Sequence, residues 1–131
     1  MAGTVVVDTV KSSTTGAPTF QNTSGTEIGT LCRAWVNFNG TSGSTYIRAS
    51  FNVSSITYNS TGDYTVNFTN PMPDTNYGCT FGMRRGTTDS NYKLTYKFGG
   101  TLTTSAVQIL GQSGSGTTVY DAGIAIVAVF R

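Results

Sequence analysis

The chain predicts an all-β protein, an antiparallel β-sandwich of jelly-roll-like kind carrying an extended N-terminal arm. Three observations lead there. Apolar and polar residues alternate with period two in segment after segment, and no window of helical length shows 3.6-residue spacing. Clusters of glycine, asparagine and proline punctuate those segments about every 8–12 residues, the spacing of sandwiches and barrels. The 131 residues suffice for one core, because a chain of this size buries roughly two-thirds of its unfolded surface.

The boundary between arm and sandwich falls at residue 30, giving an arm or anchor over 1–30 and a sandwich over 31–131. In the arm, Val5 and Val7 alternate with Val10 beyond them, and Phe20 and Ile28 stand isolated among polar stretches. That is too little apolar surface for an independent domain. The segment is either an arm whose hydrophobes need a partner subunit or an extra edge strand followed by a loop.

From there strands are expected at Leu31–Phe38, Thr45–Phe51 and Ser54–Tyr58. The next, Asp63–Thr69, puts Tyr64, Val66 and Phe68 on one face and Asp63, Thr65, Asn67 and Thr69 on the other. Asn76–Met83 repeats the pattern with Tyr77, Cys79, Phe81 and Met83. The following strand sets Tyr92, Leu94, Tyr96 and Phe98 against Lys93, Thr95 and Lys97. Leu102–Leu110 and Thr118–Phe130 complete the series. Such alternation gives a sheet with one dry and one wet face, the wet one carrying short hydroxyl and amide side chains. Asn39–Gly43, Asn59–Asp63, Gly86–Asp89, Gly99–Gly100 and Gly111–Gly116 read as turns or loops, and Pro71 and Pro73 break one strand before the next begins. Trp35, with Leu31, Ala34, Val36 and Phe38 around it, is expected in the core.

Charge is sparse. Only 11% of residues are charged, against about a quarter in an average soluble domain. The formal charge of +2 comes without a run of like charges, so neither nucleic acid nor membrane insertion is implied. Histidine is absent, which removes the histidine-dependent forms of serine, cysteine and zinc chemistry. Asp63 and Asp74 follow turns, where aspartate caps its own backbone, and Asp121 interrupts the last strand as a bulge marker or an arginine partner. No catalytic pair, metal loop or cofactor motif is legible, and the protein reads as a non-enzyme with no cofactor. Val5–Val7 is far short of the roughly 7–15 apolar residues of a secretory signal, and Gly123–Phe130 of the ~20 that span a bilayer. Cys32 and Cys79 form either one bridge or two buried thiols, the second being the reading for a reducing compartment. The Asn-x-Ser/Thr triplets that begin at Asn22, Asn39, Asn52, Asn59 and Asn67 are what chance produces in so Asn-, Ser- and Thr-rich a chain.

Two groups of residues qualify as binding candidates. Arg84 and Arg85 are adjacent charges of one sign at a strand end, and with Asp89 and Asn91 they make one loop of forked donors, a carboxylate and an amide. That mixture suits a polysaccharide receptor; the structural alternative is an arginine paired with Asp89 across the loop. Tyr46, Tyr58 and Tyr120 lie beside polar loops and qualify as sugar-stacking aromatics or as lids of the core.

Four blocks, in order, carry a resemblance: Leu31-Cys-Arg-Ala-Trp-Val-Asn-Phe-Asn-Gly40, Ile47-Arg-Ala-Ser-Phe-Asn-Val-Ser-Ser-Ile56, Gly62-Asp-Tyr-Thr-Val-Asn-Phe68 and Pro71-Met-Pro-Asp-Thr-Asn-Tyr77. Together they resemble the C-terminal β-rich module of tail-fibre-like virion proteins of aquatic bacteriophages, over about residues 26 to 85. The resemblance implies a homotrimer with no catalytic residues, located in the virion after assembly in the host cytoplasm. Its partners would be itself, other tail or capsid proteins and a host cell-surface polysaccharide. A long fibre carries the module after hundreds of residues; here it begins near the N-terminus, so a stand-alone tip, a head fibre or a capsid decoration protein is also expected. A lectin-like carbohydrate-binding domain unrelated to virions is the reading from another class. Val5, Val7 and Phe20 are the candidate oligomer contacts.

Overall fold

The structure, a computed structural model, describes residues 3–13, 18–86 and 91–131. The chain divides into two compact units, Met1–Leu31 and Cys32–Arg131.

In the first unit, residues 3–13 contain no strand, and Val5, Val6, Val7 and Val10 are all exposed. A small hairpin follows, β1 (Phe20–Gln21) against β2 (Glu27–Gly29). Its turn closes on Asn22, whose Oδ1 accepts from the amides of Ser24 and Thr26, as asparagine does when it mimics a backbone turn. Phe20 therefore belongs to a paired strand.

The second unit builds two four-stranded antiparallel sheets. The first contains β3 (Cys32–Asn39), β4 (Tyr46–Phe51), β7 (Gly78–Arg84) and β10 (Ile124–Phe130) in the order β4-β3-β10-β7. The second contains β5 (Val53–Ser60), β6 (Asp63–Phe68), β8 (Tyr92–Tyr96) and β9 (Ala106–Ser113) in the order β5-β6-β9-β8. Alternation sends Ala34, Val36, Phe38, Ala125, Val127 and Val129 inward from one sheet, to meet Tyr64, Val66, Phe68, Leu94, Val107 and Ile109 from the other. Among the described residues there is no helix. The chain changes sheet at Asn52, which takes a left-handed φ of 55°. Its side chain secures the corner by donating to the carbonyls of Arg33 and Asn70 and accepting from the Asn70 amide.

Several expectations change. Trp35 is not core: it is 39% exposed and points away from the sandwich interior, because Ala34, Val36 and Phe38 already fill the inward positions of β3. Phe98 is 99% exposed, because β8 ends at Tyr96 and the next residues turn at Lys97–Gly100. The strand expected from Leu102 starts at Ala106, because Thr103 closes a local turn with the Ala106 amide and carbonyl, and it extends to Ser113, into the first half of the expected loop. The strand expected from Thr118 starts at Ile124; Val119 makes only an isolated bridge to Gln112. Cys32 and Cys79 are free. They flank β10, opposite Phe130 and Val129, so two inter-strand spacings of about 4.8 Å separate them, too far for a bridge.

Candidate functional site

β7 ends at Arg84, and Arg85 follows it out of the strand at the same end of the sheet. Arg84 is exposed beside Ile124. Arg85 stacks: its guanidinium lies 4.3 Å from the centroid of the Tyr120 ring and 5.7 Å from that of Tyr92, and its Nη1 donates to the Tyr92 hydroxyl at 3.1 Å. The two rings meet edge to face at 5.3 Å. The fork of Arg85 is thus held by aromatic faces. Asn91 lies at the far end of the loop, its carbonyl accepting from the Gly114 amide. Asp89 lies outside the described residues. The loop's described members therefore form a stacked Arg–Tyr–Tyr platform with Arg84 and Asn91 exposed at its sides.

The neighbouring loops at this end are tied by Asp121, which meets no arginine. Its Oδ1 accepts from the Gly62 amide at 2.8 Å, and its Oδ2 from the Ser42 amide at 3.0 Å and the Tyr58 hydroxyl at 3.4 Å. The Tyr64 hydroxyl, 3.3 Å from Oδ1, accepts from the Ala122 amide and sits 3.0 Å from the Gly40 carbonyl. Burial and the Asp121 charge push the Tyr64 phenol far above the usual range. Gly62 is obligatory: its φ is +71°, and a Cβ there would sit 2.6 Å from the Gly111 carbonyl oxygen. Of the expected stacking aromatics, Tyr58 and Tyr120 are engaged in these contacts, while Tyr46 is exposed under the Arg48 guanidinium.

Asp63 and Asp74 are paired as well. Asp63, buried, accepts from Lys97 at 2.6 Å and from Asn59. Asp74 caps the Asn76 amide, as expected of it, and also takes a two-pronged grip from Arg131 at 2.8 and 2.6 Å. The Arg131 bond and the Asn76 amide hold its carboxyl down at about 2.

A different surface was missed in the sequence. The outer face of the β4-β3-β10-β7 sheet presents Trp35, Phe51, Ile126 and Phe130, each more than a third exposed. The expected hydroxyl-and-amide coat holds only for the other sheet, where Asn67 bonds Ser55 and Thr57, and Gln112 bonds Thr95. The signal was present in β10, Ile-Ala-Ile-Val-Ala-Val-Phe, which is apolar at every position and so has no wet face. The candidate oligomer contacts Val5, Val7 and Phe20 are exposed within the first unit. No protein-family model, curated protein or solved structure matches the chain.

Proposed function

We propose that this protein is a structural module of a bacteriophage virion surface, which assembles through apolar surface and presents its loops outward. The observation that carries this reading is the contrast between the two outer faces, one hydrogen-bonded and polar, the other bearing four large apolar side chains. Exposed apolar sheet of that extent marks a surface meant to be covered. The resemblance of the four ordered sequence blocks to tail-fibre-like proteins supplies the virion context, and the valines of the first unit add further surface for assembly.

Receptor contact, in this reading, belongs to the loop end. A rigid scaffold commonly recognises through loops. Arg84, Asn91 and the Arg85–Tyr92–Tyr120 stack would offer donors and ring faces to a host polysaccharide, each contact being weak and gaining from repetition on the particle. The test is immunogold labelling of particles purified from the source phage, with quantification of the protein per particle. Labelled particles are expected. Hundreds of copies would place the module in the capsid as a decoration protein, and a few tens in the tail. Unlabelled particles, with the protein left in the soluble fraction, would overturn the proposal.

A further inference from the structure

The apolar outer face is arranged in rows. One cross-strand row reads Phe51, Trp35, Ala128, Thr80 along β4, β3, β10 and β7. The next reads Ala49, Asn37, Ile126, Gly82, and in a third Phe130 stands opposite Gly78. Bulk is concentrated on the β4–β3 side of the first row, and β7 is low at Gly78, Thr80 and Gly82, with Arg84 rising at its end. A side chain added at Gly78 would meet nothing within 4 Å, and one at Gly82 would meet only the Ile126 Cβ at 3.7 Å.

We infer that this face is a two-fold interface covered by the same face of a second copy of the chain. Relief and area both point to that occupant. A two-fold axis running along the strands between β3 and β10 reverses each row onto itself. It sets Phe51 of one copy over the low Thr80 position of the other, and Trp35 over Ala128. Large against small is what lets two sheets interdigitate at about 10 Å. At exposures of 39%, 56%, 45% and 38%, Trp35, Phe51, Ile126 and Phe130 offer roughly 400 Å² of apolar surface. A standard interface buries about 800 Å² per partner, somewhat over half of it apolar, so the face supplies nearly the whole apolar share of one side. Arg48 reaches from β4 to the Gly123 carbonyl at 2.8 Å and provides a polar rim at one end.

The inference rests on the assembly reading above but is tested separately, since particle labelling does not depend on which face is covered. Trp35 is the chain's single tryptophan, so its fluorescence reports this face alone. The full chain is followed by light scattering and by acrylamide quenching over a dilution series, beside Ile126→Lys and Phe51→Ser. Both substitutions fall at outward positions, so one remains informative if the other misfolds.

The expected result is a two-subunit mass at tens of micromolar, with Trp35 about threefold less quenchable than after dilution, as a face packed like a protein interior requires. Each variant should raise the dissociation constant at least about thirtyfold and expose Trp35 at concentrations where the parent shields it. A one-subunit mass at about 100 μM would overturn the inference, since a Kd weaker than that is below what such an interface supports. So would an oligomer in which Trp35 is as quenchable as in Ile126→Lys, or a three-subunit mass. Shielding that appears only on adding cell-envelope polysaccharide or lipid vesicles would replace the second copy with that occupant.

Discussion

Replacing Asp121 with alanine should unlatch one end of the sandwich. The carboxylate accepts two backbone amides, from Gly62 at 2.8 Å and Ser42 at 3.0 Å, and stands within reach of two tyrosine hydroxyls. A hydrogen bond to a charged acceptor is worth about 1.5–3 kcal/mol net when its loss leaves a covered donor unpaired. The Gly62 amide is partly buried and belongs near the top of that range. Ser42 is exposed, so water replaces its bond at small cost. Tyr64 retains the Gly40 carbonyl and the Ala122 amide, and so loses little. The expected total is about 3 kcal/mol, or a fall of roughly 10 °C in Tm for a domain of this size. Asp121→Asn, which keeps one acceptor for the Gly62 amide, should cost about half as much. Urea unfolding gives the free energies, and amide hydrogen exchange at Gly62 localises the change. A loss under about 0.5 kcal/mol for Asp121→Ala, with Gly62 exchange unchanged, would refute this account of the loop end.

Trp35→Ala, measured in protein dilute enough to be monomeric, should cost about 1–2 kcal/mol and not the roughly 3–5 of a fully buried tryptophan, because over a third of the ring is already in water; a loss above that lower range would return Trp35 to the core. Asp74, held at about 2 by Arg131 and the Asn76 amide, stabilises the fold above its ordinary carboxylate range, and that contribution is lost as pH falls from about 4 towards 2. Arg131→Gln should flatten this acid limb in thermal melts across that window, and an unchanged limb would assign it to other groups. Reductant should leave Tm unchanged, since β10 separates Cys32 from Cys79. Burial raises the Cys79 thiol, so iodoacetamide should modify it more slowly than free cysteine at mildly alkaline pH, as mass spectrometry can follow.

Period-two alternation was enough to identify an antiparallel all-β fold and the inward face of β6, because a pleated strand leaves no choice about which residues share a face. Asp74 as a backbone cap was legible too, since its amide partner lies two residues away. Strand ends were less so: Thr103 and Lys97 end their regular patterns through turn hydrogen bonds that compete locally with the ladder. The contacts of Asp121 and Arg85 were not legible for a different reason. Their partners, Gly62, Ser42 and Tyr120, come from other loops, and only sandwich closure brings those loops to one end. Trp35 makes the same point on a face. Its neighbours in the chain are apolar, which suggests burial, yet a strand has two faces and alternation cannot say which of two apolar ones meets the opposite sheet. Packing of Ala34, Val36 and Phe38 against Tyr64 and Val66 settles that, and it leaves Trp35 outside with Phe51 and Ile126, which are distant in the chain and adjacent only across the sheet.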